Sequence, residues 1–296
     1  MKIAYLILAH QNPRLLQRVI KTLSSENCAF FIHIDRKSSM EQFSGIAGKH
    51  IFFSTERLPV YWGEFSQVEA ALLLVQQALA SQQHFDYFIL MQGSDYPLRS
   101  ETYIHNFLEQ NRGLEFMDLV KMPAPGKPLS RINTVRYPSN QPIRRFAARV
   151  LAKLGLAQRD HRKYLGGLEP FSGGACWALS REACQYVLEF MDRNPHVGNF
   201  FQNTPAADEA LFHTILGNSA FGSRIRKNLV YADWSAEGSH PEIITQQQVD
   251  HFGMQEKVWL DDVYGSGEAL FARKFCDDNL ALLEQIDEMI LRKEKH

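Results

Sequence analysis

The chain has 296 residues, of which 45% are hydrophobic and 22% charged, with a formal net charge of −1. That composition is ordinary for a globular protein able to bury a sizeable core, and the charge balance excludes a bulk attraction to nucleic acid or to an anionic membrane. The four cysteines, Cys28, Cys176, Cys184 and Cys276, are scattered without a CxxC pair; they are expected to be reduced, buried small hydrophobes of a cytoplasmic protein, and no metal-ligand spacing is present.

Ile3–Ala9 is an apolar run too short to cross a membrane, and it lacks the basic flank, long apolar region and small-residue cleavage site of a signal peptide. It reads as a first buried strand ending at His10-Gln11-Asn12-Pro13. Leu15, Leu16, Val19, Ile20 and Leu23 then recur at helical spacing. Ala29–Ile34 is a second strand, ending in Asp35-Arg36-Lys37-Ser38, and a short strand follows near Ile51–Ser54. Trp62-Gly63-Glu64-Phe65-Ser66 introduces a helix carrying Val68, Ala71, Leu72 and Val75, with Ser66 and Glu69 in a capping-box pattern. Tyr87–Met91 is a further buried strand that stops abruptly at Gly93-Ser94-Asp95. The order β-α-β-β-α-β-α implies a doubly wound, mostly parallel α/β sheet, and ligands of such sheets bind at the carboxyl ends of the strands. Ser94 and Asp95 are therefore placed to hold a sugar nucleotide, or they form an Asx-type turn that reverses the chain.

The segment from Lys121 to Lys163 differs. Pro123, Pro125, Pro128, Pro138 and Pro142 argue for irregular backbone to about Gln141, followed by a basic amphipathic helix around Ile143–Leu156. Arg131, Arg136, Arg144, Arg145, Arg149, Lys153, Arg159, Arg162 and Lys163 face a lone acid, Asp160. Segment 131–163 is either a solvated face or a patch for an anionic acceptor or the inner membrane surface. Regular structure then returns: a glycine-opened strand at Gly173–Leu179, helices at Arg181–Met191 and Asp208–Leu216, a strand at Leu229–Tyr231, and a terminal amphipathic helix at Leu280–Lys295. Without repeat or linker, the chain is expected to form one domain.

Candidate chemistry is sparse. Asp208 suits a helix cap, and Glu209 is either a second first-turn acid or a general base. Arg273 and Lys274 are an exposed pair or a diphosphate site. Trp62, Trp177 and Trp234 lie near element edges and either pack or stack on sugars. His10, His33 and His213 have no metal spacing and suit hydrogen-bonded roles. No dinucleotide fingerprint, P-loop or nucleophile elbow is present, and no DxD-type acidic pair ends a strand.

The segments AYLILAHQNP, FIHIDRKS, YWGEFSQVEAALLLVQQAL, YFILMQGSDYPLRS, SGGACWALSR, DEALFHTIL and YADW followed by SHP resemble, in order, those of the core-2/I-branching β-1,6-N-acetylglucosaminyltransferases and peptide O-xylosyltransferases. The resemblance runs from Ile3 to Phe275 and suggests a compact bacterial member without membrane anchor or stem. It implies a GT-A-like fold and inverting transfer from a UDP-sugar, with no metal cofactor, to a glycan acceptor such as a bacterial surface polysaccharide. It implies Glu209 as catalytic base, on its spacing to Thr214, although two alanines follow Pro205 where the family often has Pro-Asp-Glu directly. Lys274, in Arg273-Lys274-Phe275, matches a family lysine on the UDP diphosphate, and Arg273 stands in for an arginine absent near Ser239-His240-Pro241-Glu242. His10, Asp35, Ser94 and Asp95 complete the expected donor side; Glu115, Arg131, Trp177 and Trp234 form the expected acceptor side. N-acetylglucosamine is the leading donor sugar and xylose the second; a non-catalytic nucleotide-sugar or glycan-binding protein is the competing class. A cytoplasmic enzyme, peripheral to the inner membrane through 131–163, is the expected setting.

Overall fold

In the computed structural model, which describes residues 1–139, 141–153, 158–236, 238 and 240–294, the two N-terminal apolar runs become neighbouring parallel strands. β1 (Ile3–Ala9) and β2 (Cys28–Ile34) are buried along their whole length, as strands must be when helices cover both faces of a sheet. Between them runs α1 (Pro13–Leu23), whose proline sits at the helix start, where its missing N–H has no partner to lose. β3 (Ile51–Phe53) follows, then α2 (Ser66–Ala80), β4 (Tyr87–Gln92), β5 (Asp95–Pro97) and α3 (Glu101–Gln110). The middle of the chain carries β6 (Glu115–Met117), β7 (Val120–Lys121), α4 (Ser130–Asn133), α5 (Pro142–Lys153), β8 (Phe171–Ser172) and β9 (Trp177–Ser180). Next come α6 (Arg181–Arg193), α7 (Pro195–Gln202), a 3₁₀ turn at Ala207–Glu209, α8 (Leu211–Gly217), β10 (Ile225–Arg226) and β11 (Val230–Ala232). The chain closes with α9 (Gln246–Met254), the hairpin β12 (Trp259–Asp262) and β13 (Gly265–Glu268), β14 (Phe271–Arg273) and α10 (Leu280–Lys293).

The central sheet has the order β10-β6-β9-β4-β1-β2-β3. It is parallel except at β9, which runs antiparallel to both neighbours. This is the mostly parallel α/β sheet expected of a GT-A-like domain. Alternation along β1 divides the core. Ile3, Tyr5 and Ile7 join Leu15 and Leu16 of α1 and Leu283 of α10 on one face; Ala4, Leu6 and Leu8 join Val68 of α2 and Val187 of α6 on the other. A second small sheet, β11-β14-β5, stands beyond the carboxyl end of β4 and sets Arg273 opposite Asp95. Gly93 makes the transition: its N–H donates to the Leu8 carbonyl at 2.8 Å, and a Cβ there would lie 2.8 Å from the Ala9 Cβ, so the two strand ends approach too closely for a side chain.

Several local expectations change. Ser66 is the first residue of α2 and does not cap it; its hydroxyl accepts from the Tyr61 N–H at 2.9 Å, which fixes the preceding turn instead. The helix expected at Asp208–Leu216 splits into the 3₁₀ turn and α8, because Ala210 leaves helical geometry (φ −138°). The strand expected from Gly173 begins only at Trp177, since Gly173 and Gly174 press against Asp118. The basic helix occupies Pro142–Lys153; its expected end at Leu154–Leu156 lies outside the described residues, as do the side chains of Arg145, Arg149 and Lys153, residue Ser239 and Lys295. Nor are all cations of 131–163 exposed. Arg159 turns inward, its guanidinium 3.7 Å from the Phe200 ring centroid and donating to the carbonyls of Ile132 and Phe200, and burial lowers its pKa to about 10.

Candidate active site

The candidate residues gather in two clusters. The first surrounds Glu209. Ala206, in the left-handed region at φ 51°, turns the chain tightly into the 3₁₀ turn, and its N–H donates to the Gly63 carbonyl at 3.0 Å. The Glu209 carbonyl in turn accepts from the Gly173 N–H at 3.0 Å and from the Ser172 hydroxyl at 2.8 Å. With its backbone pinned on both sides, Glu209 projects a carboxylate that stays partly open, at 26% side-chain exposure. Its Oε2 accepts from Lys127 Nζ at 2.5 Å and Arg131 Nη2 at 2.8 Å. Lys127 also donates to the Gly173 carbonyl at 2.7 Å, which locks the ammonium between backbone and base. Arg131 was anticipated from the sequence on the acceptor side; Lys127 was not, because it lies in a proline-rich stretch without periodicity.

Asp208 points the other way. Its Oδ1 is buried and has no hydrogen-bond partner among the described residues. Burial, then the neighbouring Glu209 charge, raises its pKa to about 7, while Lys127 and Arg131 pull in the opposite direction. It is not the helix cap the sequence suggested. Below this turn His213 is fully buried, and burial followed by the Lys127 charge lowers its pKa to about 3. The imidazole is therefore neutral at physiological pH.

The second cluster gathers the strand-end residues. Asp35, at the end of β2, is 6% exposed; its Oδ1 accepts from the Lys37 N–H at 2.9 Å and its Oδ2 lies 3.2 Å from Lys37 Nζ. His10, at the end of β1, is exposed, yet its pKa is lowered by partial burial, with Asp35 raising it and Lys274 and Lys37 lowering it. These influences place His10, Asp35, Lys37 and Lys274 in one neighbourhood. Lys274 follows a cis peptide bond after Arg273. Its carbonyl accepts from the Ile244 N–H at 2.9 Å, and the next N–H, of Phe275, donates to the Ser94 carbonyl at 2.8 Å. The Lys274 ammonium forms no ion pair among the described residues.

Arg273 and Asp95 depart from their expected roles. Asp95 is 1% exposed, and its Oδ1 lies 3.3 Å from Arg273 Nε. Its Oδ2 accepts from the Gln92 N–H, three residues earlier, at 2.8 Å, a bond that ties the turn back to the end of β4 and is not the Asx-type turn, which would take the N–H two residues further on. Burial pushes the Asp95 carboxyl up, against the pull of Arg273. A sealed carboxylate matched by a guanidinium is not open to a donor sugar. Arg273 is correspondingly committed to Asp95 and to Cys176 Sγ, at 3.3 Å, and braces the site instead of waiting for an anion.

Two acceptor-side expectations are also corrected. Glu115 is fully buried and accepts from the Ser180 N–H and hydroxyl, both at 2.7 Å, where it steadies the residue that caps α6. Trp177 is 2% exposed and packs on Phe212 at 5.2 Å between centroids. Trp234 is 57% exposed, as is Trp62, which meets His240 at 5.0 Å between centroids. The hairpin β12–β13 supplies a residue the sequence did not flag: Tyr264 at its tip. Burial, then the carboxylates of Asp118, Glu209 and Asp262, push its hydroxyl well above the usual range, and Lys227 Nζ sits 4.9 Å from its ring centroid. Lys227 fixes the hairpin by donating to Asp118 at 2.6 Å and to Asp262 at 2.9 Å. Among the described residues no three His, Cys, Asp or Glu side chains come together as a metal-binding group, and no helix is long and apolar enough to cross a membrane.

Residues 3–256 match the family described as Core-2/I-Branching enzyme. The chain belongs to that family. Among the relatives of this core-2/I-branching family member, xylosyltransferase 2 of Canis lupus familiaris is 27% identical over 303 residues, covering 97% of this chain and 33% of that protein. The beta-1,3-galactosyl-O-glycosyl-glycoprotein beta-1,6-N-acetylglucosaminyltransferase of Homo sapiens is 25% identical over 220 residues, covering 72% of this chain and 48% of that protein; for its Bos taurus counterpart the figures are 26% over 321 residues, 98% and 70%. The chain thus spans about a third of the length of the xylosyltransferase and about half that of the human protein. The solved apo structure of mouse xyloside xylosyltransferase 1 is a distant likeness, with 11% identity and a TM-score of 0.37 over 93% of this chain and 98% of that one.

Proposed function

We propose that this family member is an inverting glycosyltransferase that moves a sugar from a UDP-sugar to a glycan hydroxyl without a bound metal. The observation that carries the reading is the Glu209 carboxylate, pinned through its backbone, oriented by Lys127 and Arg131 and still open to solvent. In one displacement the acceptor oxygen forms a bond to the anomeric carbon as the bond from that carbon to the β-phosphate oxygen breaks. The electron pair leaves with UDP, and the hydroxyl proton passes to Glu209. Lys274 balances the charge growing on the diphosphate, the task a divalent cation performs in other enzymes. Asp35, fixed by Lys37 and the backbone, offers a carboxylate to the ribose or uracil. Trp234 and Tyr264 border the acceptor.

N-acetylglucosamine, transferred in β-1,6 linkage, is the donor sugar we propose. Xylose is the second reading, favoured by the xylosyltransferase 2 match over 97% of the chain. A positioned base contributes roughly 10²–10⁴-fold to rate, so Glu209→Gln should lose that much turnover of UDP-N-acetylglucosamine, with or without acceptor, while UDP binding is kept. Undiminished turnover would remove Glu209 from the mechanism; absence of turnover in the wild type, with donor binding intact, would favour the non-catalytic binding class.

A further inference from the structure

Among the described residues α5 is the one long helix between β7 and α6, and three of its apolar residues face outward. Ile143, Phe146 and Val150, spaced i, i+3, i+7, form one stripe and are 84%, 69% and 43% exposed. A helix of a globular protein normally buries such a stripe against its own core. The same twelve residues carry Arg144, Arg145, Arg149 and Lys153, and no acid occurs anywhere from Lys121 to Arg159. The chain as a whole is nearly neutral, with 32 Lys and Arg against 33 Asp and Glu, so this is a local concentration of positive charge. An apolar stripe accompanied by arginine and lysine, on a helix too short to span a bilayer, is the pattern of a helix lying in a membrane interface.

We propose that α5 docks this protein on an anionic lipid bilayer, with Ile143, Phe146 and Val150 entering the headgroup boundary and the basic residues engaging the lipid charge. Charge complementarity selects this occupant. A second copy of the chain would bring the same cations against themselves, whereas anionic headgroups would neutralise all of them at once. The helix is also coupled to the cleft. Just before it, the Ser139 N–H donates to both oxygens of the buried Glu64 at 3.0 Å, and the Arg136 N–H donates to the Asn203 carbonyl at 2.9 Å, on the segment that leads into the Glu209 turn. Docking through α5 would therefore hold the cleft near the membrane surface. It does not depend on the chemistry at Glu209.

The test is co-sedimentation of the full chain with vesicles of phosphatidylcholine alone and of phosphatidylcholine with phosphatidylglycerol. The wild type should bind only the anionic vesicles and be released as salt rises to about 1 M, where the screening length falls to about 3 Å. Neutralising Arg144, Arg145, Arg149 and Lys153 to glutamine should weaken partitioning by about fivefold per residue. The separate variant Ile143→Ser/Phe146→Ser/Val150→Ser should weaken it by about tenfold per side chain. Circular dichroism of each variant confirms the fold. Absence of binding to anionic vesicles, or binding unchanged by both variants, would overturn the proposal. A dimer of the wild type abolished by the apolar variant, without vesicle binding, would likewise refute it and assign the face to a second copy.

Discussion

Replacing Asp208 with asparagine removes a charge that the fold holds at a disadvantage while keeping nearly the same shape. The Asp208 carboxyl titrates at about 7, against an ordinary value of 3.8, so the folded state binds its proton more tightly than the unfolded chain does. The raised value fixes the sign. The stabilisation linked to the bound proton is fully present below about pH 4, the unfolded value, and is lost progressively as the pH rises to about 7. That difference corresponds to about 4 kcal/mol, a ceiling because the residue is partly exposed to solvent. The amide of the variant cannot titrate. Urea unfolding of the wild type and Asp208→Asn at intervals from pH 4 to pH 8 should therefore show the two nearly equal at pH 4, with the variant gaining relative stability up to that ceiling by pH 8. The comparison between variant and wild type cancels the other titrating groups. A stability difference that stays constant across this range would show that Asp208 is ionised throughout and would refute the account of its environment.

Gly173→Ala should damage both fold and site, because the added Cβ would overlap the Asp118 carbonyl oxygen and stand 2.7 Å from His213 Nε2; a loss of roughly 3 kcal/mol, with loss of turnover, is expected in denaturation and activity assays, and a fully active, stable variant would contradict the packing described. Arg99→Met should cost about 3–5 kcal/mol by stranding Glu268, since the two meet at 2.6 Å with side chains 7% and 3% exposed; the double variant Arg99→Met/Glu268→Leu should recover much of that in the same unfolding assay, and equal losses would argue against a buried charge as the cause.

The scaffold was legible because burial on both faces writes itself into β1 and β2 as unbroken apolar runs, and because Leu15 to Leu23 keep a helical period. Glu209 and Arg131, both singled out in the sequence, are brought together at 2.8 Å. What escaped the sequence depends on contacts between distant residues. Glu115 has the same side chain as Glu209, and only Ser180, 65 residues later, makes it structural. Asp95 reads as a ligand until β14 brings Arg273 across from it. Trp177 and Trp234 are indistinguishable as letters, and packing buries one and leaves the other at the surface. The hairpin that delivers Tyr264 is written in polar, glycine-containing strands without apolar alternation, so periodicity gave no sign of it. Lys127 reaches Glu209 across 82 positions from irregular backbone.

Isothermal titration of the wild type and of Lys274→Ala with UDP and UDP-N-acetylglucosamine, in EDTA and again with Mn²⁺, tests the central claim most directly. The wild type should bind both ligands equally well in either condition, and Lys274→Ala should weaken binding at least about tenfold, the equivalent of one charge-assisted contact. Binding that requires Mn²⁺, or that is indifferent to Lys274, would contradict a nucleotide-sugar site in which this lysine takes the place of a metal.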